Sequence, residues 1–347
     1  MRFRRRGREP VDVLAGYSEL SEVGKGPFAT VYGAVEKQTE RPVAVKIFDS
    51  GPELMDVLAR DQQATAGLDH GNIIKPRFLG STSEGHPIVV SDLCRESLGH
   101  LVETEGPMRP QDAAGVGVKI CVALAVVHDS GQLHHNLKPS NLLMTLMGEP
   151  AIADAGLASV RMSVKAIGAG GAFTAIHAAP EMFEAKDLSP ASDVYGLAST
   201  LYQLLTGRAP FEPFDGESPA SVVLRILRDP VAPLPAESVP YALGHLLEAA
   251  LSKDPAGRPQ SASVFGEALR EIAALEGWSV ALPQPSKSMP TATPTSANQS
   301  DLAPVSRGWR GLRRARQGVA PPAPAARNVV LPEEARRGSM DRPPRRS

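Results

Sequence analysis

The chain is poor in cysteine, with two among 347 residues, Cys94 and Cys121. Two thiols cannot build a disulfide framework, which excludes the small bridge-stapled class and points to a reducing compartment. Long apolar runs are missing as well. The most apolar stretch, Ile120 to Val127, is eight residues long, whereas a helix that crosses a bilayer needs about 20, so no membrane span is expected. The N-terminus is rich in Arg but lacks the apolar stretch of a secretory signal. A soluble cytoplasmic protein is the expectation. Net charge is nearly absent too, with 37 basic against 38 acidic side chains. That balance hides an asymmetry: residues 1–8 hold five Arg and no acid, residues 301–347 hold eleven Arg and four acids, and residues 9–300 hold 21 bases against 34 acids. An acidic body carries two basic tails.

At about 150 residues per domain, the length fits two domains or one bilobal unit with tails. Residues 281–347 contain eleven Pro among Ala, Ser, Thr and Arg, a composition that cannot bury enough apolar surface to offset chain entropy. The expected organisation is a basic disordered N-terminus (1–12), a β-rich half (13–93), a helical half (94–278) and a disordered Pro/Ala/Arg-rich tail (279–347). The β-branched runs Val31–Val35, Val43–Phe48 and Ile88–Val90 read as strands. Ser50, Pro52 and Glu53 form a helix-start signature, followed by Leu54 and Leu58 at i,i+4 spacing. Further helices are predicted over Asp112–His128, Ser192–Thr206, Pro219–Arg228, Tyr241–Leu251 and Ser261–Ala274.

Two features suggest phosphate chemistry. In Val23-Gly24-Lys25-Gly26-Pro27-Phe28-Ala29-Thr30-Val31, between two predicted strands, Gly24 and Gly26 would let backbone N–H groups approach an anion that a Cβ would obstruct. By themselves two glycines in a hairpin are usually just a turn. Further on, Ala44-Val45-Lys46-Ile47 places one Lys inside an apolar strand, where it must be paired or face a cleft.

With the motifs that follow, the chain resembles the protein kinase family over roughly residues 17–275. His134-His135-Asn136-Leu137-Lys138-Pro139-Ser140-Asn141 resembles the catalytic loop. Asp154-Ala155-Gly156 stands at the metal-binding triplet, and Ala179-Pro180-Glu181 closes the activation segment. Ser192-Asp193-Val194-Tyr195-Gly196 and Arg258 resemble the helical-lobe anchors. The resemblance implies an α+β bilobal kinase-like fold with a small β-rich N-lobe and a larger helical C-lobe. It implies ATP and Mg²⁺ as cofactors, with Lys46 on the α- and β-phosphates and Lys138 on the γ-phosphate. Asn141 and Asp154 would be the metal ligands, since Mg²⁺ prefers oxygen donors. Gly24, Lys25, Gly26, Ala29, Val31, Ala44 and Leu143 would surround the nucleotide, with Val90 as a small gatekeeper beside the hinge Ser91–Leu93. Glu181 and Arg258 would form a buried ion pair, and Asp193 would hold the catalytic loop.

Several positions depart from that family's pattern. Asn136 replaces the proton-accepting Asp, and a carboxamide aligns a hydroxyl without useful basicity. Losing a general base costs about 10²–10⁴-fold, although phosphoryl transfer depends chiefly on positioning and electrostatics. Asp61 stands where helix C carries the Glu partner of the strand Lys; Glu53 is a rival partner or a helix cap. Ala155 and Thr65 thin an apolar stack, Ala29 replaces a third glycine, and His135 replaces an Arg that binds an activation-segment phosphate. Thr174 and the Lys138-Pro139-Ser140-Asn141 run fit Ser/Thr-directed members, and Ser159 and Ser163 are candidate phosphorylation sites.

Three functions follow: a nucleotide-binding pseudokinase that regulates a partner protein, a slow but genuine Ser/Thr protein kinase acting on protein substrates, and a nucleotide-free scaffold. The Arg-rich pieces Arg307–Arg316 and Arg336–Arg346 could contact an acidic partner or nucleic acid, or remain solvated arms.

Overall fold

The computed structural model describes residues 16–26, 28–65, 67–155, 176–184 and 186–280. The expectations for both tails, Gly156, Ser159, Ser163 and Thr174 lie outside the described residues. The first half is an antiparallel sheet of β1 (Tyr17–Lys25), β2 (Ala29–Glu36), β3 (Arg41–Phe48), β4 (Pro76–Ser81) and β5 (Pro87–Asp92), in the order β1-β2-β3-β5-β4. One helix, α1 (Met55–Thr65), joins β3 to β4. A 3₁₀ turn over Pro52–Leu54 precedes it, and Glu53 Oε1 accepts the Gly51 N–H at 3.1 Å. The cap therefore sits one residue later than the Ser50–Glu53 spacing implies, and Glu53 serves the helix start.

Successive side chains of a strand point to opposite faces, and both faces of this sheet are covered near its centre. Val43, Val45, Ile88 and Val90 pack together on one face with Ala34. Phe48 and Val89 pack on the other with Ala29, Leu54 and Leu58 from the α1 side. Leu54 and Leu58 are the i,i+4 pair of the sequence pattern, and both are buried.

The second half contains α2 (Leu98–Glu105), α3 (Pro110–Asp129), α4 (Pro190–Thr206), α5 (Pro219–Arg228), α6 (Tyr241–Ala250) and α7 (Ala262–Leu275). A three-stranded sheet of β6 (Cys94–Ser97), β7 (Leu142–Thr145) and β8 (Pro150–Ile152) adjoins them. Ile120, Leu124, Leu197, Leu201, Phe265 and Leu269 form the centre of its core. Two glycines let α3 and α7 approach closely: a Cβ on Gly117 would lie 2.8 Å from the Leu269 side chain, and one on Gly266 2.8 Å from Cys121 Cβ.

The absence of a long apolar run did not anticipate one property of α3. Its 20 residues reach a mean hydropathy of 1.4, long and apolar enough by composition to cross a membrane, with 56% of that window buried inside the fold. Ala and Val around the eight-residue run Ile120–Val127 raise the average, and the single Lys119 does little to lower it.

Candidate active site

Local geometry places the strand lysine first. Lys46 lies opposite Val31 on β2 and Val89 on β5, while Ala44 lies opposite Gly33 and Ser91. Directly opposed residues share a face, so Val31, Ala44 and Lys46 line one surface of the sheet. Val90 does not join them. It lies opposite Val45 and packs on the far face with Val43 and Ile88. The residue of β5 on the Lys46 face is Val89, a one-residue difference that inverts the side chain.

The glycine segment forms a tight turn in which the Gly26 N–H donates to the Ala29 carbonyl at 2.8 Å. A Cβ on Gly24 would meet nothing within 4 Å. The absent side chain thus keeps open space beside the strand end where Lys25 is exposed, which suits a bound phosphate chain. Ala29 contributes its carbonyl to the turn, but its methyl is buried with Phe48, Leu54 and Leu58.

Lys46 Nζ meets Asp154 Oδ2 at 2.6 Å, with both side chains about one-fifth exposed (23% and 19%). These residues come from opposite halves, so the ion pair ties the sheet to the end of β8. Asp61 is buried on α1, at 8% exposure. Asp154 adopts φ 63°, and His135 φ 58°; each such non-glycine conformation costs of the order of 1–3 kcal/mol and persists where surroundings over-determine it.

The catalytic loop is held by Asp193 on α4. Its Oδ1 accepts the His135 N–H at 2.8 Å, and its Oδ2 accepts the His134 N–H at 2.7 Å and His128 Nε2–H at 2.9 Å. Burial alone would raise the Asp193 pKa, but the donors from His128 and His134 hold it below the usual carboxylate range. His134 Nδ1 accepts the Asn136 N–H at 3.2 Å, so its proton sits on Nε2 and goes to the Ala153 carbonyl at 3.0 Å. Asn141 donates Nδ2 to the Asn136 carbonyl at 2.9 Å, and its own carbonyl accepts the Ala153 N–H at 2.9 Å. Lys46, Asp154, Asn141 and Asn136 are thereby joined through one short run of bonds. Leu143 follows two residues later on β7, opposite Ser97 and Ala151.

The donor set fits a hard cation. Asn141 spends its Nδ2 on the loop, so Oδ1 is the atom it offers, and Asp154 supplies a carboxylate. Asn136 is buried, and its Nδ2 has no hydrogen-bond partner. Lys138 sits close enough to His177 for its charge to help lower that imidazole.

The remaining anchors match the sequence reading. Arg258 Nη1 and Nη2 donate to Glu181 Oε1 and Oε2 at 2.7 and 2.8 Å, with 0% and 2% of the side chains exposed. Ser192 Oγ donates to Glu181 Oε1 at 2.6 Å, and Arg258 also donates to the Ala191, Ser252 and Lys253 carbonyls. Burial would raise the Glu181 pKa; Arg258 and Ser192 bring it below the ordinary value.

Three histidines were not singled out by sequence for their contacts. His128 binds Asp193, His134 bridges the loop to Ala153, and His177 Nδ1 contacts Ser199 Oγ at 2.8 Å inside the helical core. Their partners are 19 to 65 positions away, so no local pattern signals them.

The protein kinase domain model matches residues 17–269 of this sequence. The chain belongs to the protein kinase family. Among curated proteins it is similar to the serine/threonine-protein kinase PknK of Mycobacterium bovis, 34% identical over 280 residues that cover 78% of this chain and 25% of PknK. It is 32% identical over 253 residues to the serine/threonine-protein kinase PrkC of Bacillus subtilis, covering 71% of this chain and 39% of PrkC. PknA of Mycobacterium tuberculosis is 28% identical over 316 residues, covering 87% and 72%. The chain thus spans a quarter of PknK and about two-fifths of PrkC in these matches. The crystal structure of Rad53 1-466 in complex with AMP-PNP superposes with a TM-score of 0.61 and 24% identity, over 73% of this chain and 65% of that one. It shares the bilobal α+β kinase fold, the sheet half and helical half described above.

Proposed function

We propose that this kinase-family chain binds Mg-ATP and transfers its terminal phosphoryl group to Ser or Thr far more slowly than a carboxylate-bearing relative, acting chiefly as a nucleotide-bound regulator of a partner protein. The observation that carries this reading is Asn136 at the base position of an otherwise assembled loop. Lys46, Asn141 and Asp154 lie within one bonded run, and Asp193 fixes the loop backbone.

Bound Mg-ATP supplies the electrophilic phosphorus and the charge neutralisation that the metal provides. In this chain Lys46 and Lys138 bring positive charge to the phosphates, while Asn141 and Asp154 offer oxygens to the metal. Asn136 can align an incoming hydroxyl but cannot take its proton, because an amide has no accessible basic form. The proton then leaves to water or to the phosphate itself. A loss of about 10²–10⁴-fold in transfer follows, with positioning retained.

A second reading is a slow but genuine Ser/Thr kinase, favoured by the direct Lys46–Asp154 contact across the halves. Both readings require nucleotide. Melting the full chain with ATP, with and without Mg²⁺, tests them together: saturation at a hundred times the dissociation constant stabilises by about 2.7 kcal/mol. A Mg²⁺-dependent shift is expected. The absence of any shift at millimolar ATP would leave only a scaffold. Restoring the acid with Asn136→Asp then separates the two readings by the size of the gain.

A further inference from the structure

Among the described residues, the buried side-chain polar atoms without a hydrogen-bond partner are Nδ1 of His135 and Nδ2 of Asn136. They are consecutive in the catalytic loop. A buried donor that finds no acceptor forfeits its hydration with nothing in return, so such atoms are rare and call for a cause. Loose packing is not that cause here. The His134 and His135 amides are fixed on Asp193, and the Asn136 amide is fixed on His134 Nδ1. The Asn136 carbonyl is taken by Asn141. The Asn136 backbone is thus held on both sides, and with 8% of the residue exposed its side-chain amide lies inside the fold.

The missing acceptor is identified by its neighbourhood. Lys46, paired with Asp154, and Lys138, two residues along the loop from Asn136, bring positive charge to this region, and Gly24 leaves open space at its turn. Asn141 and Asp154 offer cation ligands within two bonds of Asn136. Phosphate oxygens are strong acceptors that profit from an N–H donor. A carboxylate at position 136 would be an acceptor only and negatively charged, so it would repel a terminal phosphate. A carboxamide is neutral and donates.

We propose that Asn136 donates its Nδ2–H to a terminal phosphate oxygen of bound ATP, so that the site discriminates a nucleoside triphosphate from a diphosphate. The substitution that removes the base thus installs a donor, and the chain distinguishes ATP from ADP by binding rather than by turnover. This inference rests on the Mg-ATP reading above.

The test is calorimetric titration of the full chain with Mg²⁺ and either ADP or the β,γ-imido analogue of ATP, which cannot be turned over. The wild-type chain, Asn136→Ala and Asn136→Asp are compared. Asn136→Ala is expected to leave the ADP affinity unchanged and to reduce the triphosphate preference about tenfold or more, the effect of a hydrogen bond to a charged group. Asn136→Asp, nearly isosteric, should lower the preference at least as far, because it adds repulsion. Retained ADP binding certifies the fold of each variant, and the Asp variant decides if the Ala variant does not bind ADP. An unchanged preference in the variants would overturn the proposal while leaving Mg-ATP binding intact. A wild-type chain that binds neither nucleotide at millimolar concentration would overturn both.

Discussion

The helical anchor and the nucleotide cleft of this chain have the same kinds of residue, acids, bases and amides, yet they are finished to different degrees. Around Glu181 and Arg258 every charge is doubly bonded and buried: two parallel bonds join the pair, and Ser192 and three carbonyls complete it. A few residues away, His135 and Asn136 leave buried atoms unpaired. What holds the fold is saturated, while the loop proposed to meet nucleotide is left incomplete. The difference teaches that departures from the family pattern at Asn136 and His135 are not general decay, because the neighbouring scaffold that would decay with them is intact.

The strongest way to break the comparison is to damage the saturated side. Arg258→Ala strands the Glu181 carboxylate in the core, and unfolding in urea should show a loss of about 3–5 kcal/mol; a loss under 1 would mean the anchor is no more than the surface pairs. Next is the pH dependence of the buried His177. Burial, with Lys138's charge, pushes its pKa down to about 4 from an ordinary 6.5. The unfolded chain therefore takes up a proton near 6.5 that the folded chain resists, and stability is full above that value. It should fall by roughly 3 kcal/mol as pH drops from 6.5 to 4. In His177→Gln the fall should shrink, and an identical melting profile for both proteins would remove His177 from the account.

The cleft side is probed by gain rather than loss. Asn136→Asp should raise phosphoryl transfer to a Ser/Thr peptide by ~10²-fold or more with little change in melting temperature. A near-zero rate in both proteins would show that the lobes themselves are incompetent. A small loss of stability is expected for Asp154→Asn. Its pair with Lys46 is partly exposed, so the cost should stay near 1 kcal/mol, whereas the Mg²⁺-dependent part of the ATP-induced shift should vanish. Persistence of that part would show that Asp154 is not a metal ligand.

Much of this was legible in the sequence. The helix predicted over Pro219–Arg228 has those bounds, and Asp112–His128 lies within Pro110–Asp129, because a 3.6-residue apolar period and Pro or Gly punctuation are local signals. The strands β4, β6, β7 and β8, three to six residues long, were not anticipated; strands this short are defined by their partners more than by their own composition. In the site, Lys46, Asn141 and Asp154 could be named from the resemblance of their motifs to those of the kinase family. The Lys46–Asp154 contact spans 108 positions, and the Val89/Val90 distinction depends on pairing register. Neither quantity is carried by a local segment. The unpaired Asn136 amide is a property of everything around it, and only three-dimensional packing exposes it.

The close seating of α7 on α3 has a consequence for how the chain is made. α3 is apolar enough to enter a bilayer, and Phe265, Leu269 and Gly266 that meet it belong to α7, which ends at Leu275. Synthesis proceeds from the N-terminus at about 5–20 residues per second, and 146 residues must follow Asp129 before Leu275 completes that cover. For many seconds α3 therefore waits for its α7 cover, with α4 the earlier-made helix that can shield part of its apolar surface.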